Sequence, residues 1–216
     1  MKIYLVRHGL TNTNKEKRYV GWGDARLCPD GYRQAECLGR KFAQLPVTGL
    51  YCSDLSRTLD TALPIGKVRG LEPAPTPLLR EINFGQWEGL TYQDMTEENR
   101  DTLWQWIDNP FRFAPPGGES LDEVFQRAWS FLEPFWANGD SQDSLVVVSH
   151  GGVIRSILHR LLKLEPEKLW DLSVENASIS LLQRNGSDIE VAYVNDCRHL
   201  DDDASSAGEQ QARAGK

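Results

Sequence analysis

Long apolar runs are missing from this 216-residue chain. No stretch approaches the ~18 residues that a membrane-spanning helix requires, so no membrane partner is expected. Cysteine is sparse, and Cys28, Cys37, Cys52 and Cys197 form neither a C-x-x-C pair nor a metal-ligand spacing. With no signal-peptide pattern at the N-terminus, they read as reduced thiols of a cytoplasmic protein. Positive charge is short as well. A net charge of −7 speaks against the broad basic surface that nucleic acid selects, so an anionic substrate has to be drawn by a local group of arginines. There are no internal repeats. What remains is 40% hydrophobic and 25% charged, an ordinary balance for one globular domain with a sizeable core, placed at residues 1–199. Asp201-Asp202-Asp203 and the Ala-, Ser-, Gly- and Gln-rich residues after them cannot bury apolar area. Residues 200–216 are therefore expected to form a disordered acidic and polar tail.

Strand and helix signals alternate along the rest. Met1 to Val6, with Lys2 its only charge, reads as a short strand covered on both faces. Asp30 is placed to cap a helix carrying Tyr32, Ala35, Leu38, Phe42 and Leu45 inward, which Pro46 ends. A second strand covers 49–52. From about Asp54 a helix follows with Leu55, Leu59, Ala62 and Leu63 on one face. Three prolines hold 72–77 extended. Residues 91–107 read as an irregular helical excursion rich in charge and tryptophan, and 115–118 as a loop. Ser120-Leu121-Asp122-Glu123 is a capping box; it opens a helix with Leu121, Val124, Phe125, Ala128, Leu132 and Phe135 inward, kinked or frayed at Pro134. A strand at 145–149 precedes a helix with Val153, Ile154, Ile157, Leu158 and Leu161 on one side and Arg155, His159 and Lys163 on the other. Two strands near 177–183 and 189–194 flank the hairpin signal Asn185-Gly186.

The chemistry gathers at two strand ends. The first strand stops on Arg7-His8-Gly9. The strand from Ser144 stops on Ser149 and is followed by His150-Gly151-Gly152. Ligands of open α/β sheets bind at the C-terminal strand ends. Thr11-Asn12-Thr13-Asn14 supplies hydroxyl and amide groups at the first junction, and the small residues at both let unpaired backbone N–H groups approach an oxyanion. Taken singly, each histidine also reads as a half-buried structural residue beside a turn; two of them at matching strand ends, with an arginine, read as an anion site. Arg57 falls in the first turn of its helix, where the dipole disfavours a cation, so it needs a partner: Asp54 or Asp60, or a phosphate. Zinc usually wants three or four His, Cys or carboxylate ligands, and the fixed charge of Arg7 beside His8 repels a cation while suiting phosphate. Neither metal nor cofactor is expected.

Leu5-Val6-Arg7-His8-Gly9-Leu10-Thr11-Asn12-Thr13-Asn14 resembles the "LVRHGxTxxN" signature of the histidine phosphatase superfamily, which includes the cofactor-dependent phosphoglycerate mutases. The resemblance continues through Asp30-Gly31, Gln34-Ala35, residues 51–62, residues 79–89, 116–120 and Val148-Ser149-His150-Gly151-Gly152, in order over about residues 1–195. It implies a doubly wound, three-layer α/β/α fold with a mostly parallel sheet, an antiparallel edge strand and a pocket at the C-terminal edge. Two departures stand out: Leu10 replaces a frequent glutamate, and Cys28 replaces the usual threonine before the Asp30 helix.

By this resemblance His8 is the nucleophile and forms a phosphohistidine, with Arg7 and Arg57 lowering its pKa by charge repulsion. Arg7, Arg57 and His150 bind the non-bridging oxygens, with Asn14 and the Gly151 N–H as supporting donors. Glu81 protonates the leaving oxygen and then activates water; Glu88 and Glu119 serve as controls, Glu119 structural or at the pocket rim. A phosphatase is favoured over a mutase. Ile82 stands where mutases carry an arginine, Gly89-Leu90-Thr91 replaces a longer insert, no Arg-Arg pair occurs, and His150-Gly151-Gly152 replaces His-Gly-Asn. The compact length and residues 84–89 look most like α-ribazole phosphatases of cobalamin biosynthesis, or their broad-specificity relatives. Trp104 and Trp106 are candidates to offer one face to an aromatic base. The expected partner is a small phosphomonoester, and a homodimer is compatible with this reading. A catalytically silent binding module is the remote alternative.

Overall fold

Side-chain alternation along the central strands divides the core in two. The computed structural model describes residues 1–137, 143–186 and 188–201. Its strands are β1 (Lys2–Arg7), β2 (Gly49–Ser53), β3 (Ala74–Thr76), β4 (Ser144–Ser149), β5 (Ile179–Asn185) and β6 (Asp188–Asp196). Its helices are α1 (Asn12–Lys15), α2 (Pro29–Ala43), α3 (Ser56–Arg69), α4 (Glu97–Asp108), α5 (Leu121–Ala137) and α6 (Gly151–Leu161). Ile3, Leu5, Leu145 and Val147 face one way and pack with Val124, Ala128 and Leu132 of α5 and Ile154, Ile157 and Leu158 of α6. Tyr4, Val6, Val146 and Val148 face the other way, against Leu38 and Phe42 of α2 and Ala62 and Ile65 of α3. The result is the three-layer α/β/α arrangement, and truncating any of its buried leucines or isoleucines to alanine would cost about 2–5 kcal/mol.

The sheet order is β3-β2-β4-β1-β5-β6. The first four of these run parallel, while β5 lies antiparallel to β1 and β6 antiparallel to β5. The antiparallel strand is thus one in from the edge, because the hairpin brings β6 back outside it. Asn185 is the last residue of β5, and Gly186 takes a left-handed φ of 61°.

Several local expectations need correction. Asp30 does not cap α2: Cys28 is the N-cap, without a side-chain bond, Pro29 occupies the first turn, and Asp30 inside that turn pairs with Lys15 and Arg33. A proline pre-set for the helical φ starts the helix without a capping side chain. Tyr32 is exposed and donates to Asp60, and Leu63 is 53% exposed. The inward face of α3 runs instead through Thr58, Thr61, Ala62 and Ile65, since α3 packs on α2 where Gly39 meets Pro64. Pro134 lies inside α5, within the last turn before Ala137. His159, on the side of its helix opposite the apolar stripe, is buried as well; its Nε2–H meets the carbonyl of Glu165 and its ring lies 4.6 Å from that of Phe111. The capping box is present, with Ser120 and Glu123 each bonding the other's backbone N–H. Among the described residues no helix is long and apolar enough to cross a membrane. The expected tail falls almost entirely on 202–216, outside the described residues.

Candidate active site

Adjacency of β1 and β4 creates the site. The two strands run parallel with Arg7 opposite Ser149, so the residues after them, His8 and His150, leave the sheet side by side. Their ring centroids are 5.2 Å apart at 61°. The turn after His8 is tight: a Cβ at Gly9 would stand 2.6 Å from the carbonyl oxygen of Gly31, which only glycine allows. The Gly9 N–H is held by Thr61 Oγ1 at 3.0 Å.

Hydrogen bonds fix the state of both rings. His8 Nδ1 lies 2.7 Å from the carbonyl of Gly9; a carbonyl only accepts, so Nδ1 carries the hydrogen and Nε2 holds the lone pair. Burial lowers the His8 pKa well below its ordinary 6.5, and Arg57 and Arg7 lower it further. Desolvation, rather than the arginine repulsion expected from the sequence, is the larger cause. His150 is pushed the same way, again by burial first and then by Arg57. Its Nδ1 accepts from Arg57 Nε–H at 3.2 Å, which leaves the hydrogen on Nε2. That Nε2 is buried with no partner among the described residues, and so is Arg7 Nε. Two buried donors in the same cluster as the His8 lone pair form a cradle for an oxyanion.

Arg57 resolves the choice left open above. It pairs with neither Asp54 nor Asp60: Asp54 clasps Arg80 at 2.7 and 2.6 Å, and Asp60 meets Tyr32 and Arg26. Arg57 donates instead to the carbonyls of Gly21, at 2.6 Å, and Gly23, at 2.9 Å. Among the described residues no carboxylate forms an ion pair with it. Arg7 is anchored by Nη1 to the carbonyl of Val174 at 2.6 Å. Asn14 sits in the short α1, where its amide oxygen accepts from the Thr11 N–H and from Asn176, and its amide nitrogen has no hydrogen-bond partner among the described residues. Gly151 opens α6, where backbone N–H groups lack helical acceptors. Glu81 lies against the same helix end: its carboxylate accepts from the Gly152 N–H at 3.1 Å and from the Ile82 N–H at 2.9 Å. A Cβ at Gly152 would stand 2.5 Å from Glu81 Oε1.

The two comparison carboxylates behave differently. Glu119 is structural at the rim, paired with Arg127 and accepting from the Asn83 N–H; Arg127 in turn donates to the carbonyl of Glu81. Glu88 is no bystander. It accepts from the backbone N–H groups of Gly21, Trp22 and Phe84 and so fastens the loop whose carbonyls hold Arg57.

Sequence reasoning missed three contributors. Asn176 donates toward the carbonyls of His8 and Gly9 and to Asn14, and no local pattern marks it. Glu88 acts across 67 residues of chain. Arg155, read only as lying on the side of its helix opposite the apolar stripe, lies near Arg7; its position one turn after Gly151 was the available signal. Trp104 and Trp106 do not share a face. Trp106 is buried beside Trp87 and Phe84, whereas Trp104 is 54% exposed and pairs with Tyr92.

The model of the histidine phosphatase superfamily (branch 1) matches residues 3–197. A putative phosphoserine phosphatase 2 of Hydrogenobacter thermophilus is 32% identical over 198 residues, covering 92% of this chain and 97% of the relative. An adenosylcobalamin/alpha-ribazole phosphatase of Salmonella typhimurium is 31% identical over 182 residues, covering 84% and 90%. A solved mycobacterial glucosyl-3-phosphoglycerate phosphatase superposes with a TM-score of 0.81 at 28% identity, covering 90% of this chain and 98% of that one.

Proposed function

Since the chain belongs to the histidine phosphatase superfamily and is a phosphatase of it, we propose that it hydrolyses small phosphomonoesters through a phosphohistidine on His8. The observation that carries this reading is the pair of tautomers: a lone pair on His8 Nε2 in one cluster with Arg7 Nε and His150 Nε2–H, two buried donors without a partner among the described residues. In the first step His8 Nε2 bonds to phosphorus, the phosphorus–oxygen ester bond breaks, and the Glu81 carboxyl gives its proton to the departing alkoxide. In the second, water attacks phosphorus, the phosphorus–nitrogen bond breaks, and the Glu81 carboxylate takes the water proton. Arg7, Arg57 and His150, with Asn14 and the Gly151 N–H, meet the equatorial oxygens as charge spreads over them. The two arginines supply the neutralisation a metal would otherwise provide, so the reaction is proposed to need none.

The substrate is proposed to be a small molecule taken with broad specificity, with α-ribazole 5′-phosphate among the candidates on the strength of the Salmonella relative and residues 84–89. The separated faces of Trp104 and Trp106 remove the aromatic-base argument. The reading is tested by a panel of phosphomonoesters together with His8→Ala. Hydrolysis by the wild type, and an acid-labile, alkali-stable label that vanishes in His8→Ala, are the expected results; a label that survives there assigns the nucleophile elsewhere. Within the panel, 3-phosphoglycerate with catalytic 2,3-bisphosphoglycerate should give less transfer than the best ester gives hydrolysis.

A further inference from the structure

The site holds one cation more than a phosphoryl group needs. Arg155 lies one turn beyond Gly151 on α6, and helical side chains lean toward the N-terminus, so its guanidinium reaches back to the helix end that His150 caps. A Cβ at Gly151 would stand 3.2 Å from Arg155 Nη1 and 3.4 Å from Arg7 Nε. The two guanidinium groups therefore flank one glycine.

Both are tethered to a single segment, Arg155 Nε–H to the carbonyl of Leu172 at 3.0 Å and Arg7 Nη1 to that of Val174. The tether leaves the Arg155 Nη groups without a hydrogen-bond partner among the described residues and pointed by the fixed plane of the fork. Three influences oppose this placement. Burial and the neighbouring cation act against charge at Arg7, burial acts against it at Arg155, and the helix dipole disfavours a cation near its N-terminus. Glu81 and Glu175 offset the charge only through their fields; among the described residues neither arginine has a carboxylate within ion-pair distance. Arg7, Arg57 and His150 already suffice for three phosphoryl oxygens. A partly buried, pre-aimed fork beside them matches a second anion on the same ligand, and its bidentate geometry matches a carboxylate.

We propose that Arg155 is a specificity-determining residue that binds a carboxylate on the alcohol part of the substrate, so that phosphate esters of hydroxy acids are preferred. This rests on the phosphatase reading above. The test compares kcat/KM within two matched pairs, O-phosphoserine against O-phosphoethanolamine and 3-phosphoglycerate against glycerol 3-phosphate, in the wild type, Arg155→Met and Arg155→Lys. The wild type should favour the carboxylate member of each pair by at least about tenfold. Arg155→Met should erase that preference through KM, changing the other members less than about threefold, and Arg155→Lys should restore part of it. A wild type without the preference overturns the proposal, and this holds even if both variants fail to fold. Equal losses on both members in Arg155→Met overturn it too, placing Arg155 in the phosphoryl cradle or the fold. Absence of turnover on every ester, p-nitrophenyl phosphate included, removes the phosphatase reading and this inference with it; turnover of p-nitrophenyl phosphate without pair discrimination removes the inference alone.

Discussion

Two buried neutral histidines at one site should make the folded protein sensitive to mild acid, and the size of the effect can be worked out. Burial, Arg57 and Arg7 disfavour imidazolium at His8, and burial and Arg57 do so at His150. In the unfolded chain each ring regains an ordinary pKa of about 6.5. Below that value the unfolded state binds more protons than the folded one, so stability falls as pH falls, beginning at the unfolded pKa and continuing toward the depressed folded one. With both rings still neutral in the fold at pH 5, each lowers stability by about 2 kcal/mol relative to pH 8, so the pair lowers it by about 4 kcal/mol. The carboxylates that the fold holds low, Asp54 beside Arg80 and Asp196 at about 2 beside Arg198, lose their contribution further down. Urea unfolding from pH 8 to 5, in a buffer free of phosphate because bound anion would stabilise the fold, reads the loss as a falling midpoint at constant slope. His8→Gln should remove about half of the pH dependence, whatever it does to absolute stability. A midpoint flat across that window, or a pH dependence unchanged in both His8→Gln and His150→Gln, would refute the account of the site as two rings held neutral by burial.

Glu81→Gln should slow single-turnover cleavage of alkyl esters by ~10²–10⁴ while sparing p-nitrophenyl phosphate, whose leaving group needs no proton; equal losses would sink the acid assignment. Glu88→Gln is not a neutral control, because an amide cannot accept all three backbone N–H groups. It should cost about tenfold or more in kcat/KM for every ester, and wild-type kinetics in that variant would show that the 21–23 loop does not position Arg57. Exhaustive chelation should leave activity unchanged, and loss restored only by a divalent ion would overturn the metal-free reading.

The sequence made the two strand ends legible because their signals are local. A buried run ending in Arg7-His8-Gly9 or His150-Gly151-Gly152 states both the element and its chemistry, and the Ser120–Glu123 box states a helix start. Where contact depends on distant chain, the pattern falls silent. Leu63 and Tyr32 look inward by spacing, but the approach of α2 and α3 turns them out. Glu88 and Asn176 act by accepting from or donating to backbone groups far away, which no side-chain periodicity records. Arg155 and His159 share a helical stripe with Lys163 opposite the apolar face, and nothing in the spacing says that the segment after α6 folds back over the first two.

The order of the strands has one more consequence, for self-association. The sheet ends on β3 at one side, a three-residue strand in which Pro75 lies opposite Cys52 and has no N–H to offer a further strand. It ends on β6 at the other, whose exposed positions begin with Asp188 and Glu190. Proline and like charge at the two margins discourage copies of the chain from joining edge to edge. The long, apolar β1 and β4, which would aggregate most readily if uncovered, stay in the middle of the sheet with the histidines at their ends.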